Sequence, residues 1–481
     1  MTKLILTALL FLLGSTAQAY LSGFEELDFI PLTEREERTL PRELQGLYKD
    51  TGMLPLKAVM RAKDGLVKTA IVLGDPTKSQ VFYSLGGTYT QGLYMDGLAE
   101  SIALATNGMD YDKPRWRDVV YMLKNNKAAF VFSEPRGFGA GAFKHIQTGA
   151  HQKFGIIDMI SDFQQAAKLY AMVSGKPIIA MGHSLGGVII DSSPTGYTVD
   201  QNGEIYFDED IQKSMNVHVL QNILVGAPFS GGDPAVAQHV MDALLETTPL
   251  LQSSSRPIRD LLRQVNDQSP MFFDMLMMGA QIGGTFFQEV GHILHNMNRI
   301  TGNNIPVMGL LDPVLQYLSH SRSLLMNRNL THKEMRRLVL HTLADSYPEL
   351  LLKQYGKLFE RFELSIPDRD GVRFDTREAF MSVPAEYRIP SVISVGTIDA
   401  VVPGDNAQKH YDLYRSQGVP VQKVDLFDVG HVDSPMGAKN GKKIARAARD
   451  NLEGARDFNK RRSQRLYGWT NYCQKVFVAP F

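Results

Sequence analysis

Ser184, His431 and an upstream aspartate are the residues whose types and order could carry out nucleophilic catalysis. Ser184 sits in Met181-Gly182-His183-Ser184-Leu185-Gly186-Gly187, a Gly-x-Ser-x-Gly pattern directly after the apolar run Pro177-Ile178-Ile179-Ala180. A serine hydroxyl is a weak nucleophile and needs an adjacent base, together with donors for the oxyanion it creates. Small residues two positions either side of it suit a strained turn from a strand into a helix, where larger side chains would clash. Val188-Ile189-Ile190 supplies the apolar face that such a helix would bury. His431 follows a strand-like run and Gly430, downstream of three candidate acids, Asp233, Asp399 and Asp405. It is the expected general base, taking the Ser184 proton and returning it to the leaving group. His183 is its rival by type, but a neighbour of the serine on such a turn points elsewhere. Leu85-Gly86-Gly87-Thr88 ends a strand-like run. There the backbone N–H groups of Gly86 and Gly87, with that of Leu185, are the expected oxyanion donors.

Those residues must be positioned by regular elements, and the signals for them alternate. Residues 58–61 and 67–73 flank Lys63-Asp64-Gly65, a hairpin signal. Strand-like runs follow at 80–84, 128–132, 177–180, 217–225, 389–396 and 421–427, separated by helical periodicity at 92–106, 116–123, 158–173 and 406–417. This alternation predicts an α/β fold, with a mainly parallel sheet flanked by helices.

The succession of the Asp64-Gly65 hairpin, Leu85-Gly86-Gly87, Arg136-Gly137-Phe138-Gly139 and Gly182-His183-Ser184-Leu185-Gly186 resembles the α/β-hydrolase superfamily. It is most similar to the lysophospholipase and monoacylglycerol-lipase branch. The chain departs from that branch at Leu85, where a histidine is common, and at Glu134 and Gly141, the two ends of the pattern after the next strand. The resemblance implies an α/β-hydrolase fold, Asp399 as the acid that accepts from the base's Nδ1–H, and ester hydrolysis through an acyl-enzyme with no metal or organic cofactor. Serine at the turn argues against the carboxylate chemistry of dehalogenases and epoxide hydrolases on similar folds. A peptidase or amidase on the same scaffold, and a non-catalytic binding protein, are the alternatives.

Between Ser230 and Ala385 strand alternation almost disappears, and apolar residues recur at helical spacing. Met271, Met275, Met277 and Met278 crowd there with Phe272, Phe273, Phe286 and Phe287, a composition suited either to plain core or to a pocket for acyl chains. Resemblance to capped hydrolases implies a lid with transient contact to a lipid surface. The expected organisation is therefore 1–19 signal peptide, 20–57 irregular or helical lead-in, 58–229 first part of the core, 230–385 helical cap, and 386–481 second part with a C-terminal helix. Lys3, the apolar residues 4–13 and Ala17-Gln18-Ala19 form the signal pattern, which predicts export to the periplasm or beyond.

Composition sets the outer bounds. The chain has 481 residues, too many for one minimal domain, and its 44% hydrophobic and 21% charged content suits a folded protein. Equal numbers of basic and acidic residues, 51 each, give no sign of a nucleic-acid partner. Cys473 is the sole cysteine, which excludes an intrachain disulfide. Residues 197–207 read as a hairpin around Gln201-Asn202-Gly203, although Asp200, Asn202, Gly203, Ile205 and Glu209 also fall at calcium-loop spacing with Thr198 in the first position. Asp368-Arg369-Asp370-Gly371 reads as a second hairpin turn, and Lys460-Arg461-Arg462 as a solvated helix face.

Overall fold

Residues 27–62, 67–87, 92–112, 115–134, 154–229, 365–367, 373–397 and 404–477, less single positions within them, are described by a computed structural model, with isolated positions elsewhere that include Leu330, Asp399 and Val402. In chain order the elements used below are β1 (Leu27–Pro31), α1 (Arg42–Thr51), β2 (Leu56–Arg61), β3 (Val67–Leu73), β4 (Gln80–Leu85), α2 (Asp96–Thr106), α3 (Trp116–Lys124) and β5 (Ala128–Ser133). They continue with α4 (Ile156–Ser174), β6 (Ile178–His183), α5 (Leu185–Ser192), β7 (Tyr197–Val199), β8 (Ile205–Phe207), α6 (Glu209–His218) and β9 (Val219–Val225). After the segment that follows Phe229 come β10 (Ser365–Pro367), β11 (Arg373–Asp375), β12 (Ser391–Gly396), α7 (Gly404–Ser416), β13 (Val421–Leu426) and α8 (Ala438–Phe477).

Nine of these strands form one sheet in the order β1-β2-β3-β5-β4-β6-β9-β12-β13. From β5 to β13 every pairing is parallel, whereas β1, β2 and β3 pair antiparallel with one another and β3 pairs antiparallel with β5. Parallel strands are covered on both faces, so both side-chain registers must be apolar. On β4, Val81, Tyr83 and Leu85 join the layer formed by α4 and α5 through Ile160, Phe163 and Ile189. Phe82 points the other way, with Phe130 and Phe132, into the layer of α2 and α8 through Leu98, Ile102, Ile444 and Ala448. Phe82 and Phe130 are 0% exposed, and burial of each such side chain stabilises the sheet by about 1.5–3 kcal/mol.

Several sequence expectations change here. The lead-in contributes β1, which extends the sheet past the hairpin; its Asp28 and Pro31 hide the strand periodicity, and Pro31 is tolerated because this is an edge strand. Residues 209–218 are helix α6 rather than loop and strand, because Asp208 caps them by accepting from the Ile211 N–H at 3.0 Å. The 217–225 strand therefore begins at Val219. β7 and β8 form the expected hairpin, and Asp200 closes its turn by accepting from the N–H groups of Asn202 and Glu204 at 2.8 and 2.9 Å. The second expected hairpin is present as β10 and β11, with its turn outside the described residues.

Residues 1–19, expected as a leader, the glycine-rich stretch at 135–141, Asp233 and almost all of 230–364 also lie outside them. Of the crowded methionines, Met271 and Met275 are described, and both are exposed, at 75% and 55%. No helix among the described residues is long and apolar enough to cross a membrane.

Candidate active site

Ser184 occupies the one-residue turn between β6 and α5, near the middle of the sheet. Its backbone has φ 50° and ψ −122°, a sparsely populated region for a residue with a Cβ, held here by the surrounding hydrogen bonds. The Ser184 N–H donates to the Val225 carbonyl at 3.0 Å, and the Ser184 carbonyl accepts from Gly187 and Val188 to start the helix. The turn closes so tightly that a Cβ on Gly182 would lie 2.6 Å from the backbone of Gly186 and Gly187. The glycine spacing seen in the sequence thus has its steric reason. As the first helical residue, Leu185 has an N–H with no intrahelical acceptor.

Leu85-Gly86-Gly87 leaves β4 beside this turn. A Cβ on Gly87 would lie 2.9 Å from the Ser184 Cβ and 2.8 Å from His183 Nδ1. Gly186 in turn packs against the carbonyl groups of Leu85 and Gly86. Gly87 thus lies against Ser184, while Leu85 and Gly86 lie against Gly186 on the helical side of the same turn.

Asp399 and His431 stand on loops after β12 and β13, the second and third strands from β6 in the sheet. The His431 Nδ1–H donates to Asp399 Oδ2 at 2.8 Å, and Asp399 Oδ1 accepts from the Val402 N–H at 2.9 Å. The Asp399 side chain is 0% and the His431 side chain 6% exposed, so the pair is shielded from water, and a neutral His431 that donates from Nδ1 carries its lone pair on Nε2. Two close approaches hold these loops. Gly396 packs directly against the Val429 carbonyl, and Gly226, at φ 52°, lies where a Cβ would be 3.2 Å from both Asp399 Oδ2 and His431 Nδ1. Gly226 follows the Val225 that anchors Ser184, and no local periodicity singles it out. Asp405, the rival acid, is exposed at the start of α7 and pairs with Lys409 at 3.4 Å.

His183, the rival base, faces away from that role. Its Nε2–H donates to the carbonyl of His431 at 2.9 Å, and its ring centroid lies 4.6 Å from that of His431. Burial, reinforced by the His431 ring, pushes the His183 pKa well below the ordinary imidazole value, so it is neutral at physiological pH. Farther along α5, Asp191 accepts from the Tyr414 hydroxyl at 2.8 Å and lies 3.1 Å from His410 Nε2. These buried contacts join the helix that Ser184 caps to α7, the helix that follows Asp399. Among the described residues no group of three or more His, Cys, Asp or Glu is placed to hold a metal.

Strand order β2-β3-β5-β4-β6-β9-β12-β13 with β3 antiparallel, a strand-serine-helix turn at its centre and an Asp-His pair on later strand ends define an α/β-hydrolase fold. No family model matches the chain, and no curated protein matches it. Solved structures similar to it include a thioesterase domain from the curacin biosynthetic pathway, at 11% identity and TM-score 0.39, covering 81% of this chain and 98% of that one. Another is a thermophilic esterase from Thermogutta terrifontis, at 13% identity and TM-score 0.37, covering 83% and 98%. A third is a membrane phospholipase A described as a bacterial virulence factor, at 13% identity and TM-score 0.38, covering 95% and 100%.

Proposed function

We propose that the protein is an exported serine hydrolase that cleaves carboxylic esters of lipid-like substrates through Ser184, His431 and Asp399. The observation that carries this reading is the buried 2.8 Å hydrogen bond from His431 Nδ1 to Asp399, on loops anchored through Gly226 to the strand that fixes Ser184. His431 takes the Ser184 proton as the hydroxyl oxygen attacks the ester carbonyl. Asp399 holds the imidazole in the required tautomer and stabilises the imidazolium that forms. Backbone N–H groups of Leu185 and Gly87, with Gly86 beside them, receive the developing oxyanion. The alkoxide leaves with the proton from His431, water then attacks the acyl-enzyme with His431 again as base, and the acid is released. Proton transfer by His431 is of a kind worth about 10²–10⁴ in rate, and a single oxyanion donor about 10²–10³.

The lipid-like substrate class is supported by the methionine and phenylalanine content of residues 271–287 and by the exposure of Met271 and Met275, which suit an acyl chain or a lipid surface. Export is supported by the pattern of residues 1–19. A series of p-nitrophenyl esters of rising acyl length, assayed beside aminoacyl amides, tests the substrate class. Rising kcat/KM with chain length is expected, and turnover of the amides alone would overturn the lipid reading.

A further inference from the structure

We propose that His183 is a positioning residue that ties the base His431 to the nucleophile Ser184, independently of Asp399. The proposal rests on the hydrolase reading given above and concerns how its base is held in place. His183 is the covalent neighbour of Ser184 and the last residue of β6. A carbonyl can only accept, so the 2.9 Å contact between His183 Nε2 and the His431 carbonyl fixes the proton of His183 on Nε2. The hydrogen bond spans 248 positions of sequence and lands on the backbone of the base itself. Asp399 holds the other end, the Nδ1–H of the His431 ring. The imidazole is thus gripped at its ring by the acid and at its backbone by the residue beside the nucleophile.

The surroundings of His183 favour one pose. It is 3% exposed, its ring meets the Tyr94 ring edge-on at 5.5 Å between centroids, and its other face leans on His431 at 4.6 Å. Its Nδ1 is buried without a hydrogen-bond partner, packed toward the Gly87 α-carbon. Retaining a buried imidazole with one unpaired nitrogen carries a desolvation cost that an apolar ring of similar size would avoid. The Nε2–H is the part of His183 that an apolar ring could not supply. Neutrality matters too, because a second positive charge stacked on His431 would oppose the imidazolium formed during attack. Burial keeps that charge off His183.

The test compares native protein, His183→Gln and His183→Phe by fluorophosphonate labelling, with active sites titrated so that rate constants refer to folded, reactive protein. Glutamine can place an N–H near the position of Nε2, whereas phenylalanine keeps the ring packing and loses the donor. The expected result is a labelling rate constant per site, and a kcat, about 10–100-fold lower for His183→Phe with KM unchanged, since misplacement by about 1 Å costs about 10²-fold. His183→Gln should recover to within about five-fold of native. A purely structural role would lower the thermal midpoint and the titratable fraction while leaving the rate constant per site near native, and that outcome overturns the proposal. Should His183→Phe fail to fold, a His183→Gln protein that folds but is slowed as much as 10–100-fold also overturns it. Native protein that does not label at Ser184 would instead overturn the hydrolase reading on which the proposal rests.

Discussion

Gly87→Ala puts one methyl group at the closest approach between β4 and the Ser184 turn. The added Cβ would sit 2.9 Å from the Ser184 Cβ, 2.8 Å from His183 Nδ1 and 3.2 Å from the His183 carbonyl oxygen. Ordinary carbon contacts begin near about 3.5 Å, so the two segments must separate by about 0.6 Å. Neither can yield by a side-chain rotation, because the atoms met are the nucleophile's own Cβ, a buried ring and backbone. If misplacement by about 1 Å costs about 10²-fold, a shift of this size costs about 10-fold, and misaligning an oxyanion donor raises the loss toward about 10²–10³. Overpacking should destabilise the fold by about 1–3 kcal/mol, which leaves it assembled. The assay is kcat/KM on a short p-nitrophenyl ester with active sites titrated, beside the thermal midpoint. A kcat/KM within two-fold of native in folded Gly87→Ala protein would refute the placement of Gly87 at the oxyanion position.

Three further expectations follow from the same geometry. Gly226→Ala forces a side chain into φ 52° and places its methyl 3.2 Å from both partners of the Asp399–His431 hydrogen bond; it should cost about 1–2 kcal/mol of stability and lower kcat several-fold or more, read by calorimetry and ester turnover. Ser184→Gly and Ser184→Ala should both be inactive, but the glycine variant should be the more stable by about 1 kcal/mol in urea melts, because it relieves the strained φ and ψ that alanine would keep. Burial, with Lys168 nearby, lowers the His218 pKa to about 4, so the unfolded chain binds the extra proton between its ordinary value near 6.5 and about 4. Stability should therefore be full above about pH 6.5 and fall as pH drops through that window, with a slope of up to about one proton, and His218→Gln should flatten the slope by that amount in pH-dependent melts.

Much of the sheet and of the site was legible because strong local signals coincide there. Apolar runs bounded by glycine mark β4, β6, β9 and β12, and the strand-before-serine arrangement marks the turn at Ser184. Asp399 and His431 emerged from their order after strands, and the structure brings them together at 2.8 Å. Local signals failed where tertiary context decides. β1 carries Asp28 and Pro31 and is a strand only because the edge of β2 is open to it. α6 carries Asp208, Glu209 and Asp210 at its start, where one caps the helix and the others favour its first turn, a role that shows only once the helix is in place. Gly226 and His183 act through approaches between segments far apart in sequence, and no single-segment pattern reports such contacts. The methionines and phenylalanines of residues 230–385 fit a core and a pocket equally well, so composition there selects no substrate.

Whether Ser184 is an activated nucleophile is read by fluorophosphonate labelling followed by mass mapping of the modified peptide. A single adduct on Ser184 is expected in native protein, none in Ser184→Ala, and labelling slowed by orders of magnitude in His431→Gln. A folded native protein that takes no label, or a Ser184→Ala protein labelled as fast as native, would contradict it.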